Sequence, residues 1–529
     1  MFRRTGGHCK VNKKAISKNI IVSFGGQFVI IVLGLVIPRI FIKSYGSDVN
    51  GLLSTITQIF TYMALLEAGI GQAARNALYK PFAQQDRDGI NIIVSVAKNY
   101  YRKFTSFYGM GVLCLAIGLP FILKTNVNFG TIFWIVIFEG MSGVISFYFI
   151  ETPSAVLQVD GKSYINNSFN LVNRIIGYFV KIIMAANGYS IIILQFAYFI
   201  ITIAKVFAYQ TYFRKHYSWI EFKKSSSQEK LKDRNSYILT EIASTVFNST
   251  DMIVLSVFLS TQIASVYSIY NMIYSNIHLL LNSVYFSIVY ILGNAYHTDI
   301  KKYETIHDAF NSIFLGAITV LMSISYLLTI PFVSLYTADV ADIEYIYKSL
   351  PVMFSLVQIL SWSRYVSGNL TGIAGFAKQT SYISLIEAFT NLFLSIVFVN
   401  KFGIVGVLFA TVVALPLKVL WCTYIADKKV MHRSFKKSVS IIGANVGFFS
   451  IVVIASKFIQ PQINTYFKFL GWGMIYSLIL VQKIRKKPAA AGFFLIWRGR
   501  EDLNLRGAFY TPYSLSRGAP SATWVLPQI

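Results

Sequence analysis

Charge is what this sequence lacks most. Only 13% of its 529 residues are Asp, Glu, Lys or Arg, against about 25% in an ordinary soluble protein. Acids are scarcer than bases, 22 against 48 Lys and Arg. A chain so poor in charge, and 55% hydrophobic, cannot cover itself with polar surface, which excludes a soluble globular protein. Cysteine is nearly absent, and Cys9, Cys114 and Cys422 supply no disulfide framework. The six histidines are scattered without metal-ligand spacing, so neither a metal nor a cofactor is expected. Gly161-Lys162-Ser163 resembles the end of a phosphate-binding loop, but Val156 stands where the loop needs a glycine. Nothing in these residues points to an enzyme.

What is present is a succession of apolar runs. They fall at 19–42, 50–74, 104–123, 129–151, 164–186, 189–212, 237–259, 264–296, 310–336, 348–372, 379–400, 403–426, 438–458 and 464–482. Each is close to the ~20 residues that cross a bilayer. The expected fold is all-α, a polytopic membrane protein of about 14 transmembrane helices. The first run follows basic residues without a small-residue cleavage site and is read as a retained span. The net charge of +26 does not imply nucleic acid, because the bases are placed as topology signals. On one side of the alternation the connecting segments and span ends carry only Lys43, Lys124, Lys348, Lys401 and Lys457, and the other connecting segments are rich in Lys and Arg. Bases accumulate on the cytoplasmic side of membrane proteins, so both termini are expected in the cytoplasm. The lysine-poor links are short and leave no room for an external catalytic domain.

A weak internal repeat lays Asp48–Ser54 on Gln262–Ser268, both at short links entering a span, with Gly403–Thr411 similar in flavour. An even number of helices between the first two copies implies halves of like orientation. The expected organisation is a cytoplasmic N-terminus over 1–18, a first six-helix bundle over 19–212 and a basic linker over 213–236. A second six-helix bundle over 237–426 and two extra helices over 427–487 follow. From Pro488 to Ile529 the composition changes to an Ala-, Gly-, Arg- and Pro-rich text without lysine. That tail is expected to be unstructured, either derived from a shifted reading frame or a natural disordered end.

Ionisable groups inside spans are the candidates for function. The cations are Arg39, Arg174, Lys181, Lys205, Arg364 and Lys418, and the acids are Glu67, Glu139, Asp251 and Glu387. Each costs ~2.5–3.5 kcal/mol near a helix centre unless it meets a partner or a wet cavity. Arg39, Lys205 and Lys418 lie near span ends and can also snorkel to the interface. Span five carries Asn166, Asn170, Asn173, Arg174, Gly177 and Lys181 on one side. Spans seven, eight, ten and two carry stripes that include Asn248 and Asp251, His278 and Asn282, Arg364, and Gln72 and Arg75 respectively. One such stripe is explained by hydrogen bonds between packed helices, worth ~0.6 kcal/mol each. Five together point to a shared wet interior with more cations than acids, suited to an anion. Asp251 and Glu387 either hold a coupling proton or sodium ion, or neutralise nearby Lys and Arg.

The segment Asn50–Ala83, with its Glu67-x-Gly-x-Gly-x-Ala run and Tyr79-Lys80-Pro81, resembles the second span of bacterial polysaccharide-export flippases. These belong to the multidrug/oligosaccharidyl-lipid/polysaccharide (MOP) transporter superfamily. Asn248–Leu259 and Ala374–Val407 resemble later segments of the same family. The resemblance implies two six-helix bundles rocking about a central cavity in the bacterial inner membrane. It also implies a lipid-linked oligosaccharide as substrate, the lipid bilayer as environment, and other polysaccharide assembly proteins as partners. A drug or cation antiporter on the same fold would show an acid-dominated cavity. A membrane glycosyltransferase or polymerase would need a larger surface at the membrane face.

Overall fold

The computed structural model describes residues 13–221, 250–298, 300–458, 461 and 463–486. The first 12 residues, most of the basic linker, Asn248 and the tail from Pro488 lie outside the described residues. The described residues form helices and short connections, with no strand among them. This is an all-α polytopic membrane protein. Eight of the described helical segments are individually long and apolar enough to cross a bilayer.

Helix α1 (Lys13–Met63) holds the first span and most of the second, joined at Gly46 with φ of +81°. The sequence suggested a seven-residue link there; one glycine in a conformation that L side chains avoid makes the turn instead. The second span continues as α2 (Leu65–Gln84) after a break at Ala64. Helix α3 (Arg87–Ile122) starts where Asp86 accepts from the Gly89 amide at 2.9 Å. Helix α4 (Phe129–Phe149) starts on an Asn128 cap of 2.8 Å and continues past Ile150 as α5 (Glu151–Val159). These caps satisfy amides that have no partner within the helix. Helices α6 (Ser163–Ala186) and α7 (Ile191–His216) complete the first half. The second half contains α8 (Thr261–Thr298), α9 (Ile300–Tyr336), α10 (Leu350–Ser363), α11 (Tyr365–Ile373) and α12 (Ala377–Tyr424). Helix α12 repeats the device of α1, with two spans joined at Gly403, φ +59°. Helices α13 (Lys436–Ser456) and α14 (Tyr466–Lys486) follow.

Each half has its own core. Leu52, Ile56, Val112, Ile132, Ile135 and Leu194 belong to one cluster, and Tyr270, Tyr274, Leu315, Ile359, Trp362 and Val407 to another. Outward stripes are apolar, as with Val172, Ile176, Phe179 and Ile183 on α6 and Ile193, Phe196, Ile200, Ile203 and Phe207 on α7. Exposed hydrocarbon on that scale belongs against lipid. The two extra helices pack on α9, where Val320, Val452 and Leu480 cluster. At the lysine-rich end Arg433 clamps this region together, reaching Asp308 at 2.6 Å and Asp427 at 2.7 Å. Burial opposes the Arg433 charge, but its bonds to the two carboxylates outweigh burial and raise its pKa.

The halves are joined at their lysine-poor ends. The two stretches aligned as a repeat lie against each other, with Asn50 Nδ2 2.8 Å from Ser265 Oγ. Gly51 sits so tightly on the Thr261 carbonyl that a Cβ there would lie 1.7 Å from its oxygen. Asp48 accepts from Thr261 Oγ1 and, at 2.9 Å, from Asn126 Nδ2. Asp342, in the acidic link after α9, accepts from Ser47 N and Oγ at 2.7 Å. At the lysine-rich end, α2 and α5 pack chiefly against α1, α3, α4 and α6 within the first half.

Candidate functional site

A cavity of about 410 Å³ lies between the halves. Its first-half wall includes Asn50, Gln58, Glu139, Tyr178, Lys181 and Gln195, and its second-half wall Ser268, Asn271, Ser275 and Asn276. Helical periodicity puts these side chains there. On α6 the lipid stripe runs through Val172, Ile176, Phe179 and Ile183. Asn170, Arg174, Tyr178 and Lys181 fall on the opposite face. The polar stripe expected for span five is thus an inner face, with Asn166 beside it and Asn173 buried.

Arg174, Lys181 and Lys205 are held without a salt bridge among the described residues. Lys181 Nζ lies 4.1 Å from the centroid of the Tyr198 ring, with the Glu139 charge nearby. Lys205 Nζ is 3.5 Å from Asn170 Oδ1. The Arg174 charge acts on both Tyr198 and Lys205, so these groups share one region. Glu67 accepts from Tyr101 Oη at 3.2 Å, with the Glu151 carboxyl nearby. Glu151 was not among the sequence candidates, because it stood at the end of an apolar run.

The second half disposes of its cations differently. Arg364 Nη1 is 2.5 Å from Glu387 Oε1, and Lys418 Nζ is 3.8 Å from Glu387 Oε2. Arg364, expected to face the shared interior, is paired with Glu387 of α12; like Arg174, Asn170 and Lys205, it does not line the cavity between the halves. Glu387 thus lies between two cations, the placement that its neutralising reading calls for. Arg39 was also expected among the cavity cations. It reaches the other way, to Tyr466 Oη at 2.5 Å and Asp339 at 3.6 Å, and so ties span one to α14 and the acidic link. His278 bonds Gln358 at 3.0 Å and Tyr365 at 3.2 Å, packing between helices. Asn282 has a buried Oδ1 without a hydrogen-bond partner.

Asp251 makes no salt bridge among the described residues. Its Oδ2 accepts from Tyr267 at 2.9 Å, and the Thr411 hydroxyl is nearby. Its Oδ1 has no hydrogen-bond partner, and neither have the buried Asn391 Oδ1 and Ser395 Oγ. Asn391 donates to Thr411 at 2.7 Å, which brings α12 to the same place. A carboxyl group in such surroundings suits a proton or a small hard cation, sodium in particular. Sequence reading found Asp251 and missed Asn391, Ser395 and Thr411. A signal was present, since Glu387, Asn391 and Ser395 recur every four residues along one helix face.

No family model matches the sequence, and no curated protein matches it. Solved structures do. One is the lipid II flippase MurJ in an inward closed conformation, at TM-score 0.64 and 15% identity, covering 88% of this chain and 98% of that one. Another is an inward-facing multidrug resistance MATE family transporter of the MOP superfamily, at 0.61 and 14%, covering 78% and 99%. An outward-facing transporter of that description aligns at 0.51 and 15%, covering 80% and 97%. The chain therefore has the fold of the transporters and flippases of the MOP superfamily.

Proposed function

We propose that this protein is a flippase of the inner membrane. It moves a polyprenyl-pyrophosphate-linked oligosaccharide from the cytoplasmic to the periplasmic leaflet, by alternating access, for cell-surface polysaccharide biosynthesis. The observation that carries this reading is the inner face of Asn170, Arg174 and Lys181 with Lys205 beside it, cations held without a salt bridge among the described residues. Buried cations are expensive, and a bound pyrophosphate offsets that cost when substrate enters. Arg174 brings a planar fork that matches phosphate oxygens, and the lysines bring point charges.

The positive-inside rule supports placing the joined ends on the periplasmic side. Asp251, with Asn391, Ser395 and Thr411, is the coupling-ion site in this reading. An ion held there stabilises whichever arrangement of the second half keeps those oxygens together, which links its gradient to the rocking of the halves. A drug antiporter is favoured by a different observation, the presence of Glu139, Tyr178 and Tyr198 around Lys181, which would suit an aromatic cation.

Vesicles containing the purified protein separate the two readings. Transfer of a labelled polyprenyl-pyrophosphate oligosaccharide between leaflets is expected, and it should fall at least about tenfold in Arg174→Ala. Drug-for-ion exchange without lipid transfer would replace the flippase reading with the antiporter one.

A further inference from the structure

A second cavity, of about 380 Å³, lies apart from the one between the halves, at the lysine-rich end of the first half. Helices α3, α4, α5 and α7 surround it, and its wall includes Lys98, Tyr148, Thr152, Gln210, Arg214 and Tyr217. We propose that this crevice binds the headgroup of an anionic phospholipid, with the acyl chains lying along α7. The inference is independent of what the protein transports.

Three observations converge on it. Lys98 and Arg214 both line the crevice. Two basic side chains thus reach it from different helices. Thr152 is only 2% exposed, and its Oγ1 has no hydrogen-bond partner. It stands just past the helix break at Ile150, so the break delivers a spare hydroxyl to the cavity wall. A buried hydroxyl without a partner is costly, and a phosphate or glycerol oxygen would satisfy it.

The third observation says that the anion carries hydrocarbon. The outward stripe of α7 runs through Ile193, Phe196, Ile200, Ile203 and Phe207, the last 76% exposed. Gln210 and Arg214 continue the same line at helical spacing, so the apolar face leads directly into the cavity. A soluble phosphate has no use for that stripe, and an acyl chain does. Tyr148 and Tyr217 in the wall, and Trp219 with Arg87 5.4 Å from its ring, are the amphipathic aromatics of a membrane interface. Basic residues at that level attract anionic lipids.

The test uses the full chain in a neutral detergent, with thermal unfolding followed as lipid is added and retained lipid weighed by native mass spectrometry. Phosphatidylglycerol should raise the unfolding temperature and remain bound, and phosphatidylcholine should do neither. Lys98→Gln with Arg214→Gln should weaken the response to phosphatidylglycerol about tenfold. Phe207→Ser changes only an exposed side chain, so it leaves the core intact, and it too should weaken retention. An equal effect of phosphatidylcholine, or a preference for phosphatidylglycerol that survives the double change, overturns the proposal. Inorganic phosphate reproducing the whole effect overturns it as well, by reducing the site to one for soluble anions.

Discussion

The two halves bury similar charges and treat them in opposite ways. In the second half Arg364 and Lys418 close on Glu387, and Arg433 from the segment that follows closes on Asp308. Asp251 there has no salt bridge among the described residues. In the first half Lys181 rests on an aromatic ring, Lys205 on an amide and Glu67 on the Tyr101 hydroxyl, and none of the three is in a salt bridge among the described residues. The cation-bearing face of α6 and the Asp251 carboxyl thus lie in different halves, and the reading proposed above, an anionic substrate coupled to a cation, assigns one ligand to each.

The comparison breaks most easily at Glu387, which is 1% exposed between two cations. Glu387→Ala should cost about 3–5 kcal/mol of stability, because it strands both charges in the interior. Arg364→Ala should cost less, since Lys418 remains to face Glu387. Adding Arg364→Met to the Glu387 variant should recover part of the lost stability. Thermal unfolding in detergent ranks these variants. A well-folded Arg364→Ala protein with export abolished would move Arg364 into the substrate site and end the contrast between the halves.

Arg174→Ala is next, with transport reduced at least about tenfold and unfolding temperature nearly unchanged. Arg174→Lys should recover part of the rate, since it keeps the charge and loses the fork. Loss of stability equal to that of the Glu387 variant would class Arg174 with the structural cations. Asp251→Asn tests the second half. It keeps the bond with Tyr267 within reach and removes the negative charge, so the rate should stop responding to sodium or to pH. An unchanged ion dependence would remove the second half from coupling. Gly51→Ala acts on the join itself. Its Cβ would collide with the Thr261 carbonyl, and overpacking of this kind costs about 1–3 kcal/mol. A thiol introduced by Ser54→Cys should then react faster with a water-soluble reagent from the lysine-poor side; no gain in reactivity would mean that this contact does not seal the cavity.

Much of the fold was legible because a bilayer imposes a length and an apolar composition on every helix that crosses it. The inner face of α6 was legible for the same reason, since lipid selects one stripe and leaves Asn170, Arg174 and Lys181 on the other. What could not be read was pairing between helices. Arg364 and Glu387 are 23 residues apart on different helices, and no periodicity says that they touch. The breaks at Ala64, Ile150 and Arg364 were equally hidden, because the apolar runs pass through them without a proline. Glu151 was lost at one of these breaks. Asn391 and Ser395 were passed over because neutral polar residues are common in packed spans, and only the carboxylate of Asp251 beside them gives them meaning.

Arg39 sharpens the comparison from its weak end. It is a first-half cation and by sequence alone belonged with Lys181 and Arg174. Its partners are Tyr466 on α14 and Asp339, which is 57% exposed, with Lys43 sharing that carboxylate at 3.8 Å. Exposed ion pairs contribute about 0.2–1 kcal/mol, and Lys43 remains near Asp339 if Arg39 is lost. The cavity wall on this helix is formed by Ile37, Pro38 and Phe41, which an Arg39→Gln change leaves in place. The expected outcome is therefore a small fall in unfolding temperature and transport close to that of the unaltered protein. Tyr466→Phe should behave in the same way, because it removes the same hydrogen bond from the other side. If Arg39→Gln abolishes transport while Tyr466→Phe does not, the guanidinium itself meets the substrate on its way out. The anion-binding face of the first half would then extend to the lysine-poor end, beyond the cavity between the halves.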